Sequence, residues 1–217
     1  MPDATCHALV QPGFAIWLTG LPSSGKTTLG YALSRLLAER SVGVQLLDSD
    51  DLRRRLTPNP TYSDEERNWF YDMVTFLAGL LTDNGVNVLI AATAPRQAYR
   101  EAARARIARF AEVYVHCPPE ECRARDPKGL WERADKGEIA TLPGAGMPYE
   151  PPEYPEVRVD TAHLSIEEAA RRILGRLDER AFFTGWRPLS SLIREAGFDA
   201  KLGQTAQGIH GRDREAT

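Results

Sequence analysis

The stretch "GLPSSGKTT", Gly20 to Thr28, limits what this chain can fold into more than any other feature of it. It lies between the apolar run "FAIWLT" and "LGYALSRLLAER", whose apolar residues recur at helical spacing. Gly20 and Gly25 enclose four positions before Lys26 and Thr27, the full G-x-x-x-x-G-K-[ST] spacing in a strand–loop–helix context. Such a loop turns backbone N–H groups toward phosphate oxygens and adds the positive end of a helix dipole. The reading makes Gly20, Leu21, Pro22, Ser23, Ser24, Gly25, Lys26, Thr27 and Thr28 an ATP-binding stretch. Lys26 would neutralise the β and γ phosphates, and the Thr27 hydroxyl would suit Mg²⁺.

The rest of the chain repeats the same logic. "VGVQLLDSDDLRRRL", "VNVLIAAT" and "AEVYVHC" are apolar runs bounded by polar or helical segments, and "SIEEAARRILGRLDER" is an amphipathic helix with a serine at its start. Continuous apolar strands alternating with helices imply an α/β fold: a parallel sheet of the P-loop NTPase type, with helices on both faces and ligands at the strands' carboxyl ends. With 217 residues, 42% of them apolar, the chain suits one such domain. Residues 1–12 read as a loose lead, 13–180 as the P-loop domain, and 181–217 as a tail with one candidate helix, "LSSLIREAG". Glycines, prolines and charges from about 123 to 155 read as a mobile lid.

A net charge of −3 gives no general attraction to nucleic acid, so a small-molecule partner is expected. Cys6, Cys117 and Cys122 lack metal-site spacing and read as reduced thiols of a cytoplasmic protein. Neither a signal core nor a membrane-length apolar run is visible, and a homodimer is left open.

Asp48, Asp50 and Asp51 close the second strand, where one carboxylate could take a proton from a substrate hydroxyl while another orders water around magnesium. The competing reading is that Asp50 or Asp51 only caps the following helix. Arg53, Arg67, Arg100, Arg125 and Lys128 occur on segments that reach the same sheet edge, which suits a transferring phosphoryl group and an anionic acceptor.

A family resemblance ranks these candidates. The chain resembles the adenylylsulfate (APS) kinases, which pass the γ-phosphate of ATP to the 3′-hydroxyl of adenosine 5′-phosphosulfate, giving PAPS in sulfate assimilation. The resemblance spans roughly 14–180 and rests on "GLPSSGKTT", on "LDSDDLRRRL" for the family's "LDGDNVRxxL", on "YSDEER" for "FSxxDR", and on "RDPKGLWERADKGEI" followed by "PYEPPEYPE". It implies Lys26, Asp48 and Asp50 as catalytic residues and Arg125 on the ATP side. It further implies an acceptor site of Arg53, Tyr62, Arg67, Phe70, Pro95, Lys128 and Leu142, with ATP and Mg²⁺ as cofactors.

Departures from the family pattern fall on the acceptor side. Phe70 stands where the family has asparagine, Ala94 where "ISP" has serine, and Leu142 where the phenylalanine of "GFTG" stacks on the acceptor's base. A lost base–aromatic stack weakens binding by about 1–3 kcal/mol. The pattern keeps open a relative with another acceptor, such as a kinase of a cytidine diphosphate derivative of the diphosphoramidate kind. A noncatalytic ATP-binding regulatory module is the reading from a different class, and the retained acidic pair argues against it.

Overall fold

Unbroken apolar runs can be strands only where both faces of the sheet are covered, and that is the arrangement found. A computed structural model describes residues 11–185. Its strands are β1 (Ala15–Thr19), β2 (Gln45–Asp48), β3 (Val88–Ala91), β4 (Phe110–His116), two short pieces β5 (Leu142–Pro143) and β6 (Gly146–Met147), and β7 (Val157–Asp160). The helices are α1 (Lys26–Glu39), α2 (Ser49–Leu56), α3 (Asp64–Asp83), α4 (Gln97–Arg106), α5 (Pro119–Arg125), α6 (Leu130–Asp135) and α7 (Ile166–Glu179). The main sheet runs β2-β3-β1-β4-β7 with every pairing parallel. All five carboxyl ends therefore open on one edge, as the sequence implied.

Alternation along the strands divides the core. Ala15, Trp17, Val88 and Ile90 join Phe70, Tyr71, Val74 and Ala78 of α3 with Tyr99 and Ala103 of α4. Ile16, Leu18 and Leu89, equally buried, alternate with them, and α1 and α7 pack together on the other side. α4 has no apolar stripe a sequence reading would catch; it buries only Tyr99, Arg100 and Ala103.

Arg100 was expected among ligand-facing cations, and the structure places it in the core at 1% exposure. Its Nε donates to Glu112 of β4 at 2.5 Å, its Nη1 to the Ala94 carbonyl and its Nη2 to the Glu150 carbonyl at 2.7 Å. A planar fork with fixed donors suits this tie of α4 to three places: β4, the turn after β3 and the end of the 123–155 segment.

Helix ends follow their caps. Ser63 opens α3 by accepting the Glu66 N–H, and Ser165 with Glu168 forms a reciprocal capping box on α7. Beyond Arg180 the chain turns back, and the rings of Phe182 and Phe183 meet Phe14 edge to face at 5.5 and 5.3 Å. The expected loose lead up to residue 10, Cys6 and the candidate helix "LSSLIREAG" lie outside the described residues. Among the described residues no helix is long and apolar enough to cross a membrane.

Replacing Arg100 by alanine leaves the Glu112 carboxylate with only the longer pair to Arg104 at 3.5 Å and takes a donor from the buried Ala94 carbonyl and from the Glu150 carbonyl. The expected loss is about 3–5 kcal/mol of folding stability, read from urea unfolding of the purified variant, whereas a loss under 1 kcal/mol would show that water replaces the fork.

Candidate active site

The loop after β1 is shaped by its two glycines. A Cβ on Gly20 would fall 2.3 Å from the Val115 carbonyl oxygen of β4, so only glycine lets the loop leave the sheet here. Gly25 holds φ +94° as the N-cap of α1, a conformation that favours glycine. The loop is fastened from the far side by Thr161 after β7, whose hydroxyl donates to the Ser24 carbonyl at 2.9 Å. Arg125 in turn donates to the Thr161 carbonyl at 2.6 Å.

Lys26 lies folded on its own loop, Nζ donating to the carbonyls of Gly20 at 3.0 Å and Leu21 at 2.7 Å. Burial lowers its pKa from 10.5 to about 8, against the pull of nearby Cys122 and Asp50. An ammonium held this way gains little in water-free surroundings until an anion arrives.

Asp48 and Asp50 have separate environments. Asp48 is buried, and it is the helix cap: Oδ1 accepts the N–H groups of Asp50 at 2.8 Å and Asp51 at 3.4 Å. The capping role weighed for Asp50 or Asp51 belongs to their neighbour. The other Asp48 oxygen accepts the Thr27 hydroxyl at 2.6 Å. Asp50 is half-exposed and pairs with Lys128 across the mouth of the site. Asp51 pairs with Arg54 on the surface.

A cleft of about 1230 Å³ runs along this edge and is lined by Pro22, Ser23, Gly25, Lys26, Thr27, Thr28, Asp48, Asp50, Arg53, Tyr62, Arg125 and Lys128. Gly20, Leu21 and Ser24 stand behind the lining. Four expected acceptor residues are likewise absent from that lining. Arg67 is 5% exposed, its Nε donating to the Tyr62 carbonyl at 3.1 Å and its Nη2 to the Thr141 carbonyl at 2.7 Å. Phe70 is wholly buried in the α3–α4 core, its apolar ring packed with Tyr71, Val74 and Tyr99. Pro95 is buried, its carbonyl accepting the Glu150 N–H at 2.8 Å. Leu142 packs inward with Leu21, Cys117, Cys122 and Trp131 in a small core of its own.

Sequence reasoning passed over Glu66, which ties Arg53 at 3.1 Å and takes three further donors from Thr61 and Tyr62. The S-x-x-E spacing of Ser63 and Glu66 was the available signal.

Filling the Leu142 site with a phenylalanine would crowd Leu21 and Trp131, so Leu142→Phe is expected to lose about 1–3 kcal/mol of stability. Thermal and urea unfolding would register it, and an unchanged stability with tighter nucleotide binding would mean the ring turns out into the cleft.

A glycine loop, a buried lysine, a carboxylate beside the loop's threonine and a second carboxylate facing the cleft are the parts phosphoryl transfer requires. Known proteins resemble this chain over most of its length. The family described as adenylylsulphate kinase matches residues 12–160. A probable adenylyl-sulfate kinase of Pyrococcus abyssi is 42% identical over 170 residues, covering 78% of this chain and 98% of that protein. One from Archaeoglobus fulgidus is 46% identical over 149 residues, covering 68% and 96%. The solved APS kinase of Mycobacterium tuberculosis, in complex with AMPPNP and APS, superposes with a TM-score of 0.72 at 34% identity, covering 77% of this chain and 98% of that one. Shikimate kinase from Aquifex aeolicus, 19% identical with a TM-score of 0.52, shares the fold. With the family model matching residues 12–160 and a relative 42% identical over 78% of its length, the chain belongs to the adenylylsulphate kinase family.

Proposed function

We propose that the cleft transfers the γ-phosphoryl group of ATP to the 3′-hydroxyl of adenosine 5′-phosphosulfate, yielding ADP and PAPS. The observation that carries this reading is that Lys26, the Thr27–Asp48 pair and the Asp50–Lys128 pair all line one cleft. In the proposed step the acceptor oxygen bonds to the γ-phosphorus while the bond from that phosphorus to the β–γ bridging oxygen breaks. The hydroxyl proton passes to Asp50, the carboxylate exposed to the cleft, and ADP takes the electron pair of the broken bond. Lys26 leaves its loop carbonyls for the phosphates, and Lys128 leaves Asp50 for the transferring group.

Thr27, with Asp48 behind it, would hold Mg²⁺, which supplies charge neutralisation on the β and γ phosphates. The donor set fits that ion: one hydroxyl and one carboxylate in contact, with room left for phosphate and water. Among the described residues there is no cluster of three or more histidine, cysteine, aspartate or glutamate side chains able to hold a metal by themselves. Residues 13–180 would form the catalytic unit in the cytoplasm, with about 123–155 as its lid over nucleotide and acceptor.

A second acceptor reading has specific support. Phe70 and Ala94 belong to the same apolar cluster, and Leu142 faces inward, so two polar groups and one stacking ring are absent from the acceptor wall. A cytidine diphosphate derivative is the alternative. Assaying ATP-dependent phosphorylation of APS beside cytidine diphosphates decides between them, and turnover of neither with tight ATP binding would favour the regulatory module.

Asp50→Asn keeps the shape and cannot take the proton. It is expected to lower kcat by about 10²–10⁴ while the KM for ATP stays within about threefold, and Asp48→Asn is expected to weaken ATP·Mg²⁺ binding as well. If Asp50→Asn retains near-wild-type kcat, the base lies elsewhere.

The Lys26 pKa gives a pH dependence whose sign is fixed. Folding depresses it from 10.5 to about 8, so across that window the unfolded chain holds more protons and the stability of the empty protein rises with pH. ATP restores the charged form, so binding in this window is expected to take up a proton and to weaken as pH rises past about 8. Titration calorimetry in buffers of different ionisation heat measures the uptake, which Lys26→Met should remove.

A further inference from the structure

Two S-x-x-E pairs occur in this chain, and they do different things. At α7, Ser165 accepts the Glu168 N–H at 3.3 Å and Glu168 accepts the Ser165 N–H at 2.9 Å, a complete reciprocal cap. At α3, Ser63 accepts the Glu66 N–H at 3.2 Å, but the Glu66 carboxylate does not return to Ser63. One of its oxygens takes the Thr61 N–H and hydroxyl and the Tyr62 N–H; the other takes Arg53 Nη1 at 3.1 Å.

Those bonds hold a strained turn. Tyr62 has φ +56°, a conformation bulky residues adopt only when their surroundings impose it. They also hold the Arg53 guanidinium, whose central carbon lies 3.8 Å from the centroid of the Phe70 ring and 5.1 Å from that of Tyr62. Phe70 gives this cation a flat floor with no hydrogen-bonding atom to draw it aside. Arg67, the neighbouring guanidinium, donates to two backbone carbonyls and is not among the cleft's lining residues, whereas Arg53 lines the cleft. Burial raises the Glu66 pKa, and the Thr61 and Tyr62 donors with the Arg53 charge outweigh it, leaving the carboxyl below its ordinary value.

We propose that Glu66 and Phe70 are positioning residues that preset the Arg53 guanidinium as the contact for the anionic group of a nucleotide acceptor. The proposal rests on the phosphoryl-transfer reading above and deepens it: the acceptor is recognised by a phosphate- or phosphosulfate-type anion at Arg53. Holding the cation before the acceptor arrives reduces the side-chain ordering that binding must supply.

Steady-state kinetics with ATP and APS test it. Glu66→Gln is expected to raise the KM for APS about 10- to 100-fold, the range of a lost hydrogen bond to a charged group. Its kcat and KM for ATP should stay within about threefold, and Phe70→Leu should raise the APS KM by a smaller factor in the same pattern. Glu66→Asp, which keeps the carboxylate, should recover most of the loss, and Glu168→Gln at the other cap should leave the APS KM unchanged. A parallel fall in kcat and rise in both KM values, or an unchanged APS KM in Glu66→Gln, would overturn the proposal. Should the wild type fail to phosphorylate APS, the acceptor reading falls, and calorimetry with AMPPNP-filled protein tests the clamp. Glu66→Gln must then weaken APS while leaving adenosine unchanged. Wild-type protein that binds APS no more tightly than adenosine, or a variant that weakens both equally, sinks it.

Discussion

The carboxylate of Asp48 is the joint on which the site depends. One oxygen caps α2 and the other receives the Thr27 hydroxyl from the first turn of α1. A single side chain thus fixes the helix that follows the phosphate loop against the helix that carries Asp50 and Arg53. Strand β2 delivers it buried, so it is shielded from competing water. If Asp48 let go, the start of α2 would lose its cap and the two cleft-facing residues on that helix would lose their bearing relative to Lys26.

Features encoded by neighbours in sequence were legible. The glycine loop, the end of each buried strand and the amphipathic α7 follow from spacing alone, and the parallel sheet follows from them. α4 escaped because its buried contribution is a tyrosine, an arginine and an alanine, with no stripe to read. Arg100 looked like any other surface arginine until Glu112 and two distant carbonyls surrounded it.

The acceptor side was less legible for the same reason. Position in a motif placed Arg67, Phe70, Pro95 and Leu142 near the acceptor, but which way a side chain turns is decided by packing. Phe70 and Leu142 found apolar clusters, and Arg67 found two backbone carbonyls. Glu66 had the spacing of a plain helix cap, and only the folded chain brings Arg53 to it.

The small core of Leu21, Cys117, Cys122, Trp131 and Leu142 draws its members from the phosphate loop, the end of β4, α5 and the 123–155 segment, and the Trp131 indole donates to the Pro22 carbonyl at 3.2 Å. Loop and segment are therefore stitched by an oily seam with one polar thread. Neither can travel alone: to swing the segment is to tug the loop that cradles phosphate, or else to wet an indole and a leucine. The seam makes the segment and the glycine loop a single mechanical part, so a change at residue 21 is answerable to both at once.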